Sequence, residues 1–215
     1  MIPKKIHYIW LGGDKPESVK SCVDSTHKYN SDYEIIEWNE SNIDLSVLSE
    51  CELYFYNRWY ATHKYAFCSD LIRLYILRDH GGIYIDTDVE FVKHLDESFL
   101  ESPFLGRINP EGTPCNGCIW GTTGNDDDFL SLMISKMQDR LLHSGRLYGR
   151  KWIFNSIMIG HFRKNGDEPS NEITEMFGYK IYPIDYFCPQ NCYTKELNIS
   201  KNTVSIHHFD LSWKR

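Results

Sequence analysis

The sequence predicts an α/β fold, with a mostly parallel central sheet flanked by helices. Three observations lead there. Short β-branched and aromatic runs alternate with longer stretches of three-and-four apolar spacing, the order of βαβ units. One of those runs, Gly81-Gly82-Ile83-Tyr84-Ile85-Asp86-Thr87-Asp88, ends in two carboxylates two residues apart, and open α/β sheets bind ligands at the carboxyl ends of their strands. The chain has 215 residues, enough for one domain with a core of its own.

Residues 5–11, Lys-Ile-His-Tyr-Ile-Trp-Leu, read as a buried strand closed by Gly12-Gly13. Pro16 can open the helix that follows, up to residue 29. Residues 33–38 read as a second strand, Asn39-Glu40-Ser41-Asn42 as a turn and residues 44–60 as a helix. Residues 62–80 carry the strongest helical pattern: Ala66, Phe67, Leu71, Leu74, Tyr75 and Leu77 line one face, and Gly81-Gly82 supplies the C-terminal cap. The strand bearing Asp86 begins at once, and residues 89–93 extend it past the Asp pair. Further strands are expected at 104–108, 118–121, 180–182 and 203–207, and helices at 127–142 and 152–164. No repeat or linker interrupts the order. The expected organisation is one domain over 1–215, with 1–110 as the nucleotide-binding half and 111–215 completing the sheet and building the second substrate's site.

Composition narrows the function classes. The net charge of −7 argues against a nucleic-acid binder, which needs a basic surplus. Fourteen Tyr and six Trp suit a carbohydrate or nucleotide site, since aromatic rings stack on bases and sugar faces, and they suit a well-packed core equally. A local basic stretch, Arg140, Arg146, Arg150 and Lys151, reads either as a solvated helix end or as a patch for an anionic acceptor or membrane surface. No apolar run is long enough for a transmembrane helix, and no signal-peptide apolar region follows Lys4-Lys5. The expected location is cytoplasmic, with peripheral association at the inner membrane face left open. Seven scattered cysteines, an odd count, fit a reducing compartment. Cys115/Cys118 and Cys188/Cys192 together have the ligand types of a four-thiolate zinc site, but free thiols are the default for pairs so far apart.

The carboxylate pair carries the chemistry. In an extended chain residues i and i+2 point to the same side, so Asp86 and Asp88 can converge. Adjacent carboxylates repel unless a cation or proton neutralises them; a hard divalent cation that also holds phosphate oxygens would do so. A bare Asp-x-Asp is usually a solvated turn; here an apolar strand leads into it and a distinctive helix precedes it. On that helix Asp70 and Arg73 lie three apart and share a face. They form either a surface pair worth about 0.2–0.5 kcal/mol or a sugar-holding couple. In the latter the carboxylate accepts two hydroxyls, and the guanidinium donates to others or to phosphate.

Three ordered blocks, Ile2-Pro3-Lys4-Lys5-Ile6-His7-Tyr8-Ile9-Trp10, Ser69-Asp70-Leu71-Ile72-Arg73 and Gly81 to Asp88, resemble the Asp-x-Asp sugar-binding region of glycosyltransferase family 32. That family includes yeast initiating mannosyltransferases, vertebrate α1,4-galactosyl- and N-acetylglucosaminyltransferases and bacterial capsule enzymes. The catalytic domains of the large clostridial glucosylating toxins are similar at the same blocks. His207-His208 with Ser212-Trp213 resembles the family's closing motif. The resemblance implies a GT-A fold, a nucleotide-sugar donor with a UDP-sugar favoured, Mn²⁺ or Mg²⁺, and retention at the anomeric carbon. It also implies a glycan or lipid-linked glycan acceptor, as in bacterial surface polysaccharide synthesis. Carried over residue by residue, Trp10 would flank the nucleobase, Asp70 and Arg73 would hold the donor sugar, and Tyr84 would lie near the ribose. Asp86 would bind ribose or sugar and reach the metal through water, Asp88 would be a direct metal ligand and His208 a second one. Ser212 and Trp213 would touch the diphosphate, and Asn116 is the nearest match to the family's acceptor-side Asn.

Plain structural readings stand beside these. Trp10 suits a core position at a strand end, and Tyr84, alternating with Ile83 and Ile85, suits packing. One of His207 and His208 should point away from the site if the segment is extended. No nucleophile is evident, so retention by a covalent intermediate or by same-face attack is open, with same-face attack favoured. Four other functions compete: a non-catalytic nucleotide-sugar or glycan binder, a GDP-mannose-using transferase, a zinc-stabilised interaction domain and a nucleotidyltransferase. Gly12-Gly13-Asp14-Lys15 is a poor phosphate loop for the last.

Overall fold

The computed structural model describes residues 1–143 and 153–210. Ser212 and Trp213, and Arg146, Arg150 and Lys151 of the basic stretch, lie outside the described residues. The first half alternates as expected. Strand β1 (Lys5–Ile9) is followed by helix α1 (Glu17–Tyr29), strand β2 (Glu34–Trp38), helix α2 (Glu50–Ala61), helix α3 (Tyr65–His80) and strand β3 (Gly82–Tyr84). α2 starts later than its sequence pattern suggests, because Ser49 and Glu52 form a capping box there. The second half runs β4 (Val89–Phe91), β5 (Phe104–Ile108), β6 (Thr113–Thr122), α4 (Asp128–His143), α5 (Ile153–Lys164), β7 (Thr174–Met176), β8 (Tyr179–Tyr182), α6 (Ile184–Phe187) and β9 (Ser205–His207).

The central sheet has seven strands in the order β2-β1-β3-β6-β5-β8-β7. β1, β2, β3, β5 and β8 run one way, and β6 and β7 run against them. β6 therefore joins the two halves, pairing with β3 on one edge and β5 on the other. Alternate side chains along the strands feed two cores. Tyr84, Leu105, Trp120 and Ile181 pack with α2, α3, α4 and α5. Ile83, Phe104, Ile119 and Tyr182 pack with Val89, Phe91, Phe99 and Phe187. β4 leaves the sheet and pairs with β9, Val89 opposite His207.

His7 ties the parallel strands to the end of α3. Its Nε2 lies 2.9 Å from the Gly81 carbonyl oxygen, and the Trp38 indole N–H donates to its Nδ1 at 3.1 Å. A carbonyl can only accept and an indole N–H can only donate, so His7 is the neutral Nε2–H tautomer.

Candidate active site

Gly81 and Gly82 both have positive φ, 60° and 93°. They turn the chain from α3 straight into β3 with no connecting loop. That return folds the inner face of α3 against the strand and its continuation, and so sets Asp70 and Arg73 beside Asp86. Arg73 Nη2 stands 3.1 Å from Asp70 Oδ1 and 3.1 Å from Asp86 Oδ1. Asn116 of β6 donates from Nδ2 to Asp70 Oδ1 at 3.3 Å, while its buried Oδ1 has no hydrogen-bond partner. Tyr84 donates to Asp86 Oδ1 at 3.1 Å, and the Arg73 guanidinium lies 4.3 Å from the Tyr84 ring centroid.

Asp70, Arg73 and Asn116 are buried. Burial raises the Asp70 carboxyl to about 6 against the opposing pull of Arg73, whose charge is shared with Asp86. Burial would lower the Arg73 guanidinium, but Asp86, Tyr84 and Asp70 outweigh it and raise its pKa. Two carboxylates around one guanidinium leave a net negative site, suited to neutral sugar hydroxyls and cations.

Asp86 and Asp88 converge, though not by strand alternation. β3 ends at Tyr84, and residues 87–88 form a turn closed by Val89 N–H donating to Asp86 O at 3.2 Å. The turn serves the purpose that the extended chain was expected to serve. The third member of the cluster is His207, not His208. Donor atoms of Asp86, Asp88 and His207 all lie within 4.8 Å of one another, with His207 Nε2 3.1 Å from Asp88 Oδ1. His208, expected as the ligand, donates from Nε2 to Glu90 at 2.7 Å on the outer side. β9 is extended, so neighbours face opposite ways, and its pairing with β4 decides which one faces in. The His208 backbone N–H, and that of Asp210, donate to the Asp88 carbonyl and to Asp88 Oδ2 at 2.9 and 3.0 Å. Burial would raise the Asp88 carboxyl, but His207 and the backbone N–H groups of Asp210 and of Asp88 itself hold it down at about 2. Burial would lower His207, yet Asp88 and Cys188 raise it well above the ordinary imidazole value.

Other expected residues fall differently. Trp10 follows β1 at the same sheet edge as Asp86, half-buried, its indole N–H donating to the Gly13 carbonyl at 2.6 Å. Tyr84 is buried beneath the site and donates to Asp86 Oδ1. Sequence reasoning missed Gly117. A Cβ there would overlap Asp86 Oδ2 and stand 2.9 Å from its Cγ, and the Asp86 N–H donates to the Gly117 carbonyl at 2.9 Å. The Asn116-Gly117 pair inside a strand was the available signal. The carboxylate and imidazole donors fit a divalent metal of the Mn²⁺ type.

Comparison with known proteins fits this geometry. Residues 16–105 match the family described as the glycosyltransferase sugar-binding region containing DXD motif. The match takes in 90 of the 215 residues, among them Asp70, Arg73, Asp86 and Asp88. The chain is 29% identical over 124 residues to inositol phosphoceramide mannosyltransferase 3 of Schizosaccharomyces pombe, covering 54% of this chain and 32% of that protein. It is 26% identical over 200 residues to an uncharacterised glycosyltransferase of Acanthamoeba polyphaga mimivirus, covering 89% of this chain and 77% of that one. The chain thus spans about a third of the length of the yeast relative. Among solved structures, the PaToxG glycosyltransferase superposes with a TM-score of 0.58 at 19% identity, over 77% of this chain and 70% of that chain. The fold is that of the GT-A glycosyltransferases.

Proposed function

We propose that this glycosyltransferase moves a hexose or N-acetylhexosamine from a nucleotide-sugar to a glycan or glycolipid acceptor, with a divalent metal and with retention at the anomeric carbon. The observation that carries this reading is one juxtaposition at the sheet's ligand-binding edge. The Asp86–Asp88–His207 donors converge within 4.8 Å, beside the buried Asp70–Arg73–Asn116 group.

Asp88, Asp86 and His207 would hold the metal, which when bound supplies Lewis-acid stabilisation of the charge that builds on the departing diphosphate. Asp88, held low by His207 and backbone N–H groups, needs no proton loss at neutral pH to serve. His207 must give up a proton, so metal uptake is favoured by rising pH. Asp70 and the unpartnered Asn116 Oδ1 accept sugar hydroxyls, and Arg73 fixes the orientation of Asp70 and Asp86 at once. Because Asp70 is already engaged by Arg73 and Asn116, it is a poor nucleophile. This supports same-face attack, in which the leaving phosphate takes the acceptor's proton. Trp10, at the same edge, flanks the base. A UDP-sugar is the first choice of donor. A GDP-mannose donor with a lipid acceptor is the second reading, supported by the yeast relative's name.

The test is nucleotide release from a panel of UDP- and GDP-sugars with Mn²⁺, with and without EDTA. The expected outcome is metal-dependent hydrolysis of one donor, reduced on the order of 10²–10³-fold in Asp88→Ala, the cost of losing one preorganised electrostatic contact. Absence of both hydrolysis and metal-dependent donor binding across the panel would overturn the reading.

A further inference from the structure

Buried sulfur stands next to the carboxylate cluster. Cys118 lies on β6, Cys188 ends α6 and His207 lies on β9. Their donor atoms, two Sγ and one imidazole nitrogen, all lie within 4.8 Å of one another. All three residues are buried, and both cysteines are free thiols. His207 Nε2 meets Asp88, whereas its Nδ1 is buried with no hydrogen-bond partner. A lone buried thiol is an ordinary small hydrophobe. Two thiols converging with one imidazole are a different chemistry: a borderline-soft donor set that suits zinc, where the neighbouring carboxylates suit harder ions.

We propose that Cys118, Cys188 and His207 form a second metal site, one for Zn²⁺, which shares His207 with the carboxylate set. A tetrahedral zinc holds sulfur at about 2.3 Å and nitrogen at about 2.0–2.1 Å, hence its donors roughly 3.5–3.8 Å apart. The three side chains need to close by only about an ångström to reach that spacing. Both thiols bind as thiolates and release their protons. Entry is from the side of Asp86 and Asp88, whose side chains are 30% and 17% exposed. Three protein ligands leave the fourth position to water. The fold draws one cysteine from each of the two pairs noted in the sequence. Because a neutral imidazole has one free lone pair, zinc on Nδ1 leaves Nε2 protonated towards Asp88 and unable to ligate there, so the two metals compete for His207.

The test uses the reduced, metal-free chain of 215 residues. Titration with Co²⁺ is expected to give a thiolate-to-cobalt charge-transfer absorption in the near ultraviolet that saturates at one equivalent and is bleached by one equivalent of Zn²⁺. Cys118→Ser and Cys188→Ser each remove the band and weaken Zn²⁺ binding by at least the roughly tenfold that even an outer-shell partner costs. Asp88→Ala keeps the band, so the result stands apart from whether the carboxylate set binds metal. X-ray absorption of the zinc-loaded wild type, which depends on no variant folding, should show two sulfur neighbours at about 2.3 Å. A zinc environment of nitrogen and oxygen alone, or a cobalt band that survives both cysteine substitutions, would overturn the proposal.

Discussion

Gly117 leaves no room for a side chain beside Asp86. The Asn116-Gly117 pair marks the position in the sequence, but the constraint itself comes from Asp86, on a neighbouring segment. A methyl group there displaces the Asp86 carboxylate, not backbone, so Gly117→Ala should cost no more than the roughly 1–3 kcal/mol typical of local overpacking, comparable to the strength of the Arg73 and Tyr84 contacts it disturbs. Donor turnover should nevertheless fall on the order of 10²-fold, the usual consequence of a misplaced positioning group. Comparing the melting temperature with kcat/KM checks this, and a large drop in melting temperature would refute it. The two histidines separate in the same way. His207→Ala should weaken activation by Mn²⁺ on the order of 10–100-fold. His208→Ala, which loses a half-exposed pair with Glu90, should leave it within about twofold, as exposed pairs contribute little. Metal titrations of donor hydrolysis decide; equal effects in the two variants would count against the assignment. The doublet was legible in the sequence as a ligand source, but which member faces in depends on the register of β9 against β4.

At the scale of elements, the junction of β1, β2 and α3 carries a pH-dependent contribution to stability. Burial pushes the His7 imidazole down to about 4, against the hydrogen bond to the Gly81 carbonyl. In the unfolded chain the ring titrates near 6.5. Between those values the unfolded state binds the extra proton. The His7 contribution is therefore fully present above pH 6.5 and is lost as pH falls towards 4, by roughly 3 kcal/mol in all. Urea titrations across that window should show the loss, and His7→Gln should flatten it; an unchanged pH slope in the variant would show that other groups carry it. β6 illustrates the opposite limit of sequence reading. Only residues 118–121 stood out as a strand, because Pro114, Asn116 and Gly117 are poor strand formers. The observed strand spans Thr113–Thr122, since both its edges are paired and all its side chains are buried. β7 and α6 are too short to leave a period in the sequence.

For the molecule as a whole, residues 1–110 and the remainder are not separable at the site. Residues 1–110 contain Asp70, Arg73, Asp86 and Asp88, but Asn116, Gly117 and His207 come from the other half, and β6 fills the gap between β3 and β5. The full chain should therefore melt in a single transition by both near-ultraviolet circular dichroism and tryptophan fluorescence. The fragment 1–110 should lack that transition, with the edges of β3 and β5 left unpaired. A fragment that melts cooperatively and still binds donor would show the halves to be independent. Among the described residues no helix is long and apolar enough to cross a membrane. The sequence by itself determined the α/β alternation, the helix bearing Asp70 and Arg73, and the carboxylate pair that follows the Gly81-Gly82 turn. These are local patterns, written in periods of two and 3.6 and in residues that stop them. Only the tertiary structure decided that His207 and not His208 joins the carboxylates, that Tyr84 supports Asp86 from below, and that Gly117 and two distant thiols border the same centre. Those facts follow from pairing and packing between segments far apart in the chain, which no local pattern records.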